Sequence, residues 1–201
     1  EPVIDSAGVI YVGNHGFNLT NLKKLYAINP DGTLKWEKSF GTTAEFGFEK
    51  MALRSDGVLL AAWAHRSSAQ YTQAYTIYAI RIIDGSTLWS RRIENFYGDF
   101  FTNGSGGYYG ITYDTGNNYF VNYYDANNVF KWKFNYTTSD TSAYYRFGGL
   151  SQDERGWIYA GFSRNANVSA DRVNNYVRFA ALVPWTLTPS FGSTGAYLPG
   201  G

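Results

Sequence analysis

A glycine recurs at Gly8, Gly57, Gly107 and Gly156, at spacings of 49, 50 and 49 residues. Each is followed by a short aromatic or aliphatic run: Val9-Ile10-Tyr11, Val58-Leu59-Leu60, Tyr108-Tyr109 and Trp157-Ile158-Tyr159. A polar segment precedes each one: Asp5-Ser6-Ala7, Arg54-Ser55-Asp56, Asn103-Gly104-Ser105-Gly106 and Asp153-Glu154-Arg155. A polar turn that ends on glycine suits a tight hairpin, because glycine enters positive φ without a steric penalty. A constant period of this length restricts the chain to like units that bury their apolar faces only by stacking on one another.

A second landmark follows in each unit. Leu25-Tyr26-Ala27-Ile28-Asn29-Pro30-Asp31-Gly32-Thr33-Leu34-Lys35-Trp36 reads as strand, turn and strand. Ile77 to Trp89 and Phe120 to Trp132 repeat it, whereas Val177 to Leu187 is degenerate and has Pro189 at the tryptophan position. The first unit then contains strands at about 2–5, 8–13, 24–29 and 33–40, and the second at about 49–54, 58–64, 76–83 and 87–93. Four short strands per unit, at a period of about 40–50 residues, are the mark of β-propeller blades.

Composition agrees. Tyr 18, Phe 14, Trp 6 and Gly 22 against 16% charged residues favour strands and turns over helices. A formal net charge of +1 disfavours a nucleic-acid partner, and no run approaches the ~20 apolar residues of a membrane helix. With no cysteine there is no disulfide, Cys-ligated metal or thiol chemistry.

The expected fold is therefore all-β, with four blades of about fifty residues at roughly 1–41, 42–94, 95–138 and 139–191. Residues 192–201 would close the ring or begin a further blade. Four blades form either a complete four-bladed ring or an open arc of a larger propeller, and an open arc exposes edges that recruit a partner or another copy. The chain begins with Glu1 and shows no leader, the expectation for a processed chain or a piece of a longer one.

The run from Leu25 to Trp36, preceded by Gly8-Val9-Ile10-Tyr11-Val12-Gly13, resembles the repeat of quinoprotein-like (PQQ-like) β-propellers. Blades of that family carry an Ala, an Asp or Asn, a glycine turn and a Trp that packs on the neighbouring blade. The resemblance implies that Trp36, Trp89 and Trp132 are blade-docking residues. Side-chain chemistry points the same way, since indole combines a large apolar area with an N–H able to reach a backbone carbonyl. The dehydrogenase branch of the family uses a bound quinone, calcium and a catalytic Asp, in some members with a vicinal disulfide, on eight-bladed wheels. No Asp here matches that base by motif, so the resemblance implies the scaffold and assigns no catalytic, cofactor-binding or metal residue.

Other candidates read mainly as structure. His15 and His65 share a phase in loops of adjacent units, but two histidines without a carboxylate make a weak metal site. Asp31, Asp56, Asp84, Asp114 and Asp125 sit in turns, where a carboxylate caps nearby N–H groups. Arg54, Arg66, Arg81, Arg91 and Arg92 read as the solvated face of outer strands. Sequons at Asn18, Asn103, Asn135 and Asn167 are possible glycosylation sites. The expected function is a non-catalytic extracellular or envelope module that binds protein, glycan or copies of itself. The alternatives are a fragment of a PQQ- and calcium-dependent oxidoreductase, or a carbohydrate binder using Tyr71, Tyr75 and Tyr97.

Overall fold

The computed structural model describes residues 2–14, 23–40, 47–66, 73–114, 119–136, 143–153, 157–166 and 177–182. Within them the chain forms fifteen strands in four antiparallel sheets, with no helix among the described residues. Sheet 1 is β1 (Val3–Ile4), β2 (Ile10–Gly13), β3 (Lys24–Ile28) and β4 (Leu34–Ser39). Sheet 2 is β5 (Gly47–Leu53), β6 (Val58–Arg66), β7 (Gln73–Arg81) and β8 (Thr87–Ile93). Sheet 3 is β9 (Phe96–Thr102), β10 (Tyr108–Tyr113), β11 (Tyr119–Tyr124) and β12 (Phe130–Tyr136). Sheet 4 is β13 (Ala143–Gln152), β14 (Ile158–Ala166) and β15 (Val177–Leu182). Each sheet is a meander in chain order. The fourth strand expected after β15, and the segment 192–201, lie outside the described residues.

The first hairpin of each sheet repeats one hydrogen-bonding pattern. Gly8 N–H donates to the Asp5 carbonyl and Asp5 N–H to the Val9 carbonyl. Gly57 and Arg54 repeat this, with Arg54 N–H donating to Val58. In sheet 3 the pattern falls on Gly106, not on Gly107: Gly106 has φ 82° and donates to the Asn103 carbonyl. Counted from the hinge residue, Asn103 to Gly106 matches Asp5 to Gly8 and Arg54 to Gly57, and the spacings become 49 and 49. Gly107 takes the place of Val9 and Val58, and is small for another reason: a Cβ there would lie 2.6 Å from the Tyr123 hydroxyl and 2.7 Å from the Tyr124 carbonyl. Gly156 lies outside the described residues, though Asp153 N–H donates to the Trp157 carbonyl as in the other hairpins.

The last hairpin of each complete sheet also repeats. Its turn carries one residue at positive φ, Gly32 (85°), Gly85 (72°) or Asn128 (62°). One residue before each tryptophan the register slips, leaving Lys35, Leu88 or Lys131 as a bulge. The extra residue re-aims the side chain after it, so Trp36, Trp89 and Trp132 land opposite Ala27, Ala79 and Tyr123.

Strand alternation gives each sheet two apolar faces. The face of sheet 1 that carries Val9, Tyr11, Leu25, Ala27 and Trp36 packs on Met51, Leu59, Ala61, Trp63 and Ile80 of sheet 2. The opposite face of sheet 2, with Leu60, Ala62, Ile77 and Ala79, packs on Phe96, Phe100, Tyr108 and Tyr124 of sheet 3. Tyr109, Ile111, Val121 and Tyr123 of sheet 3 then meet Ile158 and Ala160 of sheet 4. Sheets 2 and 3 thus each have a forward face toward the sheet that follows and a rear face toward the sheet that precedes. The first strands lie side by side, β1 by β5, β5 by β9 and β9 by β13.

The two positive-φ glycines separate backbone strain from packing. A Cβ at Gly85 would lie 2.9 Å from the Trp36 ring, whereas one at Gly32 meets nothing within 4 Å. Gly32→Ala is expected to cost about 1 kcal/mol, the penalty of a left-handed alanine. Gly85→Ala adds a clash with Trp36 and is expected to cost roughly 1–3 kcal/mol more. Urea denaturation of the two variants side by side checks the order.

Candidate functional site: the latch between neighbouring sheets

The bulge before Trp36 aims its indole out of sheet 1 and over the β7–β8 turn of sheet 2. There the indole Nε1 donates to the Ile82 carbonyl at 3.0 Å and the ring covers Gly85. Two residues on, Lys38 Nζ donates to the Gly85 carbonyl at 3.1 Å. Glycine is required here twice over, for the left-handed turn and for the ring above it.

Sheets 2 and 3 repeat the device with different residues. Trp89 is half-buried and stacks on Tyr108, ring centroids 6.1 Å apart. Arg91, two residues on, donates from Nη1 to the Asn128 carbonyl at 3.0 Å and lies 4.5 Å from the centre of the Tyr124 ring. Lys38 and Arg91 therefore do one job, a cation on the carbonyl of the next sheet's positive-φ residue. Trp132, in the third sheet, packs against Tyr109 and Tyr123. Its buried Nε1 has no hydrogen-bond partner among the described residues.

A second contact ties the first hairpins together. Asp5 Oδ1 accepts from Ala7 and Val9 N–H, and Oδ2 from the Tyr11 hydroxyl at 2.8 Å. Asp153 does the same for Trp157 N–H and the Tyr159 hydroxyl. Asn103 accepts from Ser105 and Gly107 N–H. At this hinge sheet 2 has Arg54 instead. Its guanidinium is buried, paired with Asp56, and donates from Nη1 to the Ala126 carbonyl of sheet 3 at 2.9 Å. Ser55 Oγ bonds the Gly104 carbonyl and Thr102 Oγ1 the Leu53 carbonyl across the same seam.

These contacts correct the reading of Arg54 and Arg91 as part of a solvated face, and the side chain of Arg66 lies outside the described residues. Arg81 and Arg92 are exposed, Arg92 pairing with Glu94. Arg54 and Arg91 instead leave their own sheet to satisfy carbonyls of the next one, an exchange that strand periodicity cannot reveal. Three of the turn carboxylates cap backbone, Asp31 accepting from Thr33 N–H, Asp84 from Ser86 N–H, and Asp125 from Asn127 and Val129 N–H, whereas Asp56 pairs with the Arg54 guanidinium.

The remaining sequence candidates scatter. His65 Nε2 lies 2.6 Å from Thr76 Oγ1, and His15 lies outside the described residues. Tyr75 is buried, with its hydroxyl on Glu49, so it presents no ring to a sugar. Tyr71 and the side chain of Tyr97 lie outside the described residues. Among the sequons, Asn103 is buried and its Nδ2 faces the Tyr123 hydroxyl at 3.3 Å, which leaves no open acceptor in the folded chain. Asn135 is exposed on β12, and Asn18 and Asn167 lie outside the described residues.

The tyrosines at the seams are held in their neutral form. Burial, and then the Asp5 carboxylate beside it, push the Tyr11 hydroxyl well above the ordinary tyrosine value. Burial raises Tyr108, Tyr109 and Tyr124 as well. The Lys131 ammonium and then the Val129 N–H hold Asp125 below the usual carboxylate range.

No protein-family model matches the sequence, and no curated protein matches it. Solved structures similar to it include a protein of unknown function from Bacteroides caccae, 15% identical, with a TM-score of 0.49 over 87% of this chain. Another is an uncharacterised Listeria monocytogenes protein, 13% identical, with a TM-score of 0.49 over 90% of this chain. The chain spans only 59% and 54% of those two proteins.

The seams can be probed by mutation and by pH. Arg54→Leu leaves the Ala126 carbonyl without its donor and is expected to cost about 1–3 kcal/mol, read as a lower urea midpoint. The four tyrosines titrate higher folded than unfolded, so their stabilisation is complete below the ordinary value near 10 and is lost above it. Thermal melts between pH 8 and pH 12, with tyrosinate absorbance followed alongside, are expected to show the melting temperature falling from about pH 10.

Proposed function

We propose that this chain is a non-catalytic β-propeller module of the quinoprotein-like kind, built to hold its sheets as blades and to present their loops and end faces to a macromolecular partner. The carrying observation is the repeated latch, in which Trp36 and Lys38 close on the β7–β8 turn and Arg91 closes on the β11–β12 turn. Four meandering antiparallel sheets, packed face to face in chain order with their first strands adjacent, support the blade reading. On this reading Trp36, Trp89 and Trp132 are docking residues, and Trp132 serves the seam between sheets 3 and 4.

The non-catalytic reading draws on where the polar side chains are used. Arg54 and Arg91 bond backbone of the next sheet, and Asp5, Asp125 and Asp153 bond backbone of their own turns. We assign the module to the cell envelope or the extracellular space, on its low charge and its high tyrosine content. Exposed Asn135, on this view, is an acceptor open to glycosylation.

The test adds pyrroloquinoline quinone with calcium and follows melting temperature and quinone absorbance. A ligand that binds only the folded state at a hundred times its Kd would stabilise by about 2.7 kcal/mol. No shift is expected; a rise of several degrees would replace the scaffold reading with that of an oxidoreductase fragment.

A further inference from the structure

The latch of sheet 1 joins a tryptophan, a tyrosine and a carboxylate in one chain of contacts. The Trp36 ring centre lies 5.8 Å from that of Tyr11, and the Tyr11 hydroxyl donates to Asp5 Oδ2 at 2.8 Å. Tyr11 is 0% exposed, so its phenolic proton is shut off from water and sits on a base. That base is ionised at neutral pH. Burial pushes the Asp5 carboxyl upward, but the Val9 N–H, the Tyr11 hydroxyl and the Ala7 N–H together outweigh it and hold it below its ordinary value. Trp36 is 9% exposed, and its indole N–H is held on the Ile82 carbonyl at 3.0 Å, an acceptor that takes no proton.

Indole and phenol are the side chains that lose a single electron most readily in a chain without cysteine. A phenol gives up its electron as its proton leaves, so a base already on the hydroxyl eases the step. The other two seams pair tryptophan with tyrosine but put an amide where sheet 1 has Asp5 as acceptor. Trp89 stacks on Tyr108 at 6.1 Å, yet the Tyr108 hydroxyl donates to Asn128 Oδ1, which is no base. Trp132 lies 5.9 Å from Tyr109, which follows Asn103 by six residues as Tyr11 follows Asp5.

We propose that Trp36, Tyr11 and Asp5 form a radical relay, which draws an oxidising hole from the Trp36 indole into the core of sheet 1. A one-electron oxidant, an oxygen- or nitrogen-centred radical, takes one electron from Trp36 and is reduced to its anion. The Tyr11 phenol then gives an electron to the Trp36 radical cation and its proton to Asp5 Oδ2. Neutral Trp36, a Tyr11 phenoxyl radical and a protonated Asp5 remain, so electrons and protons balance. The hole thereby leaves an indole that bonds the next sheet and comes to rest on a phenol closed to solvent. None of this depends on the reading of the sheets as blades.

The test generates azidyl radicals by pulse radiolysis, which oxidise tryptophan ahead of tyrosine, and follows the absorbance of indole and tyrosyl radicals. The native chain is expected to convert one into the other in a first-order phase whose rate is independent of protein concentration. That phase is expected to be missing from Tyr11→Phe and from Trp36→Phe. In Asp5→Asn it is expected to slow about a hundredfold, the size of effect that a positioned proton acceptor supplies. Asn103→Asp, which offers Tyr109 a carboxylate, is expected to add a second phase. Circular dichroism checks that each variant is folded. A native chain without the conversion, or an unchanged rate in any of the first three variants, overturns the proposal. Should Asp5→Asn not fold, Asn103→Asp decides in its place, and the absence of a second phase overturns the role of the carboxylate.

Discussion

An indole resting on a left-handed glycine, with its N–H on a carbonyl nearby in the same turn, is the contact on which the rest of this structure depends. A four-stranded antiparallel sheet with two apolar faces cannot be stable alone in water, and its neighbours must be fixed in both distance and angle. Apolar faces supply the attraction without specifying the angle, because burial is non-directional. The hydrogen bond from Trp36 to Ile82 and that from Lys38 to Gly85 supply the direction, and together they set where sheet 2 stands relative to sheet 1. Between sheets 2 and 3 the same constraint is met by Arg91 on Asn128 and by Arg54 on Ala126.

The sheets keep this geometry while their sequences drift because the parts are exchangeable within one physical role. Gly85 and Asn128 both reach positive φ, asparagine being among the few other residues that do so readily. Lys38 and Arg91 are both long cations that can leave their strand. Asp5, Asn103 and Asp153 all cap the first hairpin, and where Arg54 replaces the cap it bonds the neighbouring sheet instead. Length varies elsewhere: from the first turn glycine to the second positive-φ residue is 24 positions in sheet 1, 28 in sheet 2 and 22 in sheet 3.

Much of this was legible in the residues alone. The period of the turn glycines and the run that ends in Trp36 pointed to all-β units of four strands, and the strands of sheets 1 and 2 lie within two or three residues of their expected places. Other features were hidden by the way they are encoded. Gly107 looked like the turn glycine because it precedes the aromatic run, but hairpin register is counted from Asn103 and selects Gly106. Each bulge shifts one residue without leaving a composition signal, so Lys35, Leu88 and Lys131 gave no hint of re-aiming the tryptophans. Arg54 and Tyr75 read as surface residues, since the pairs that bury them join positions 72 and 26 residues apart.

The latch has a sense of direction, and that has a bearing on how the chain is made. Trp36 and Lys38 leave the ribosome before Gly85 exists, and Trp89 and Arg91 before Asn128. Every newly made sheet is therefore half-clothed until its successor arrives to take its tryptophan, and the growing chain always carries one sticky trailing surface.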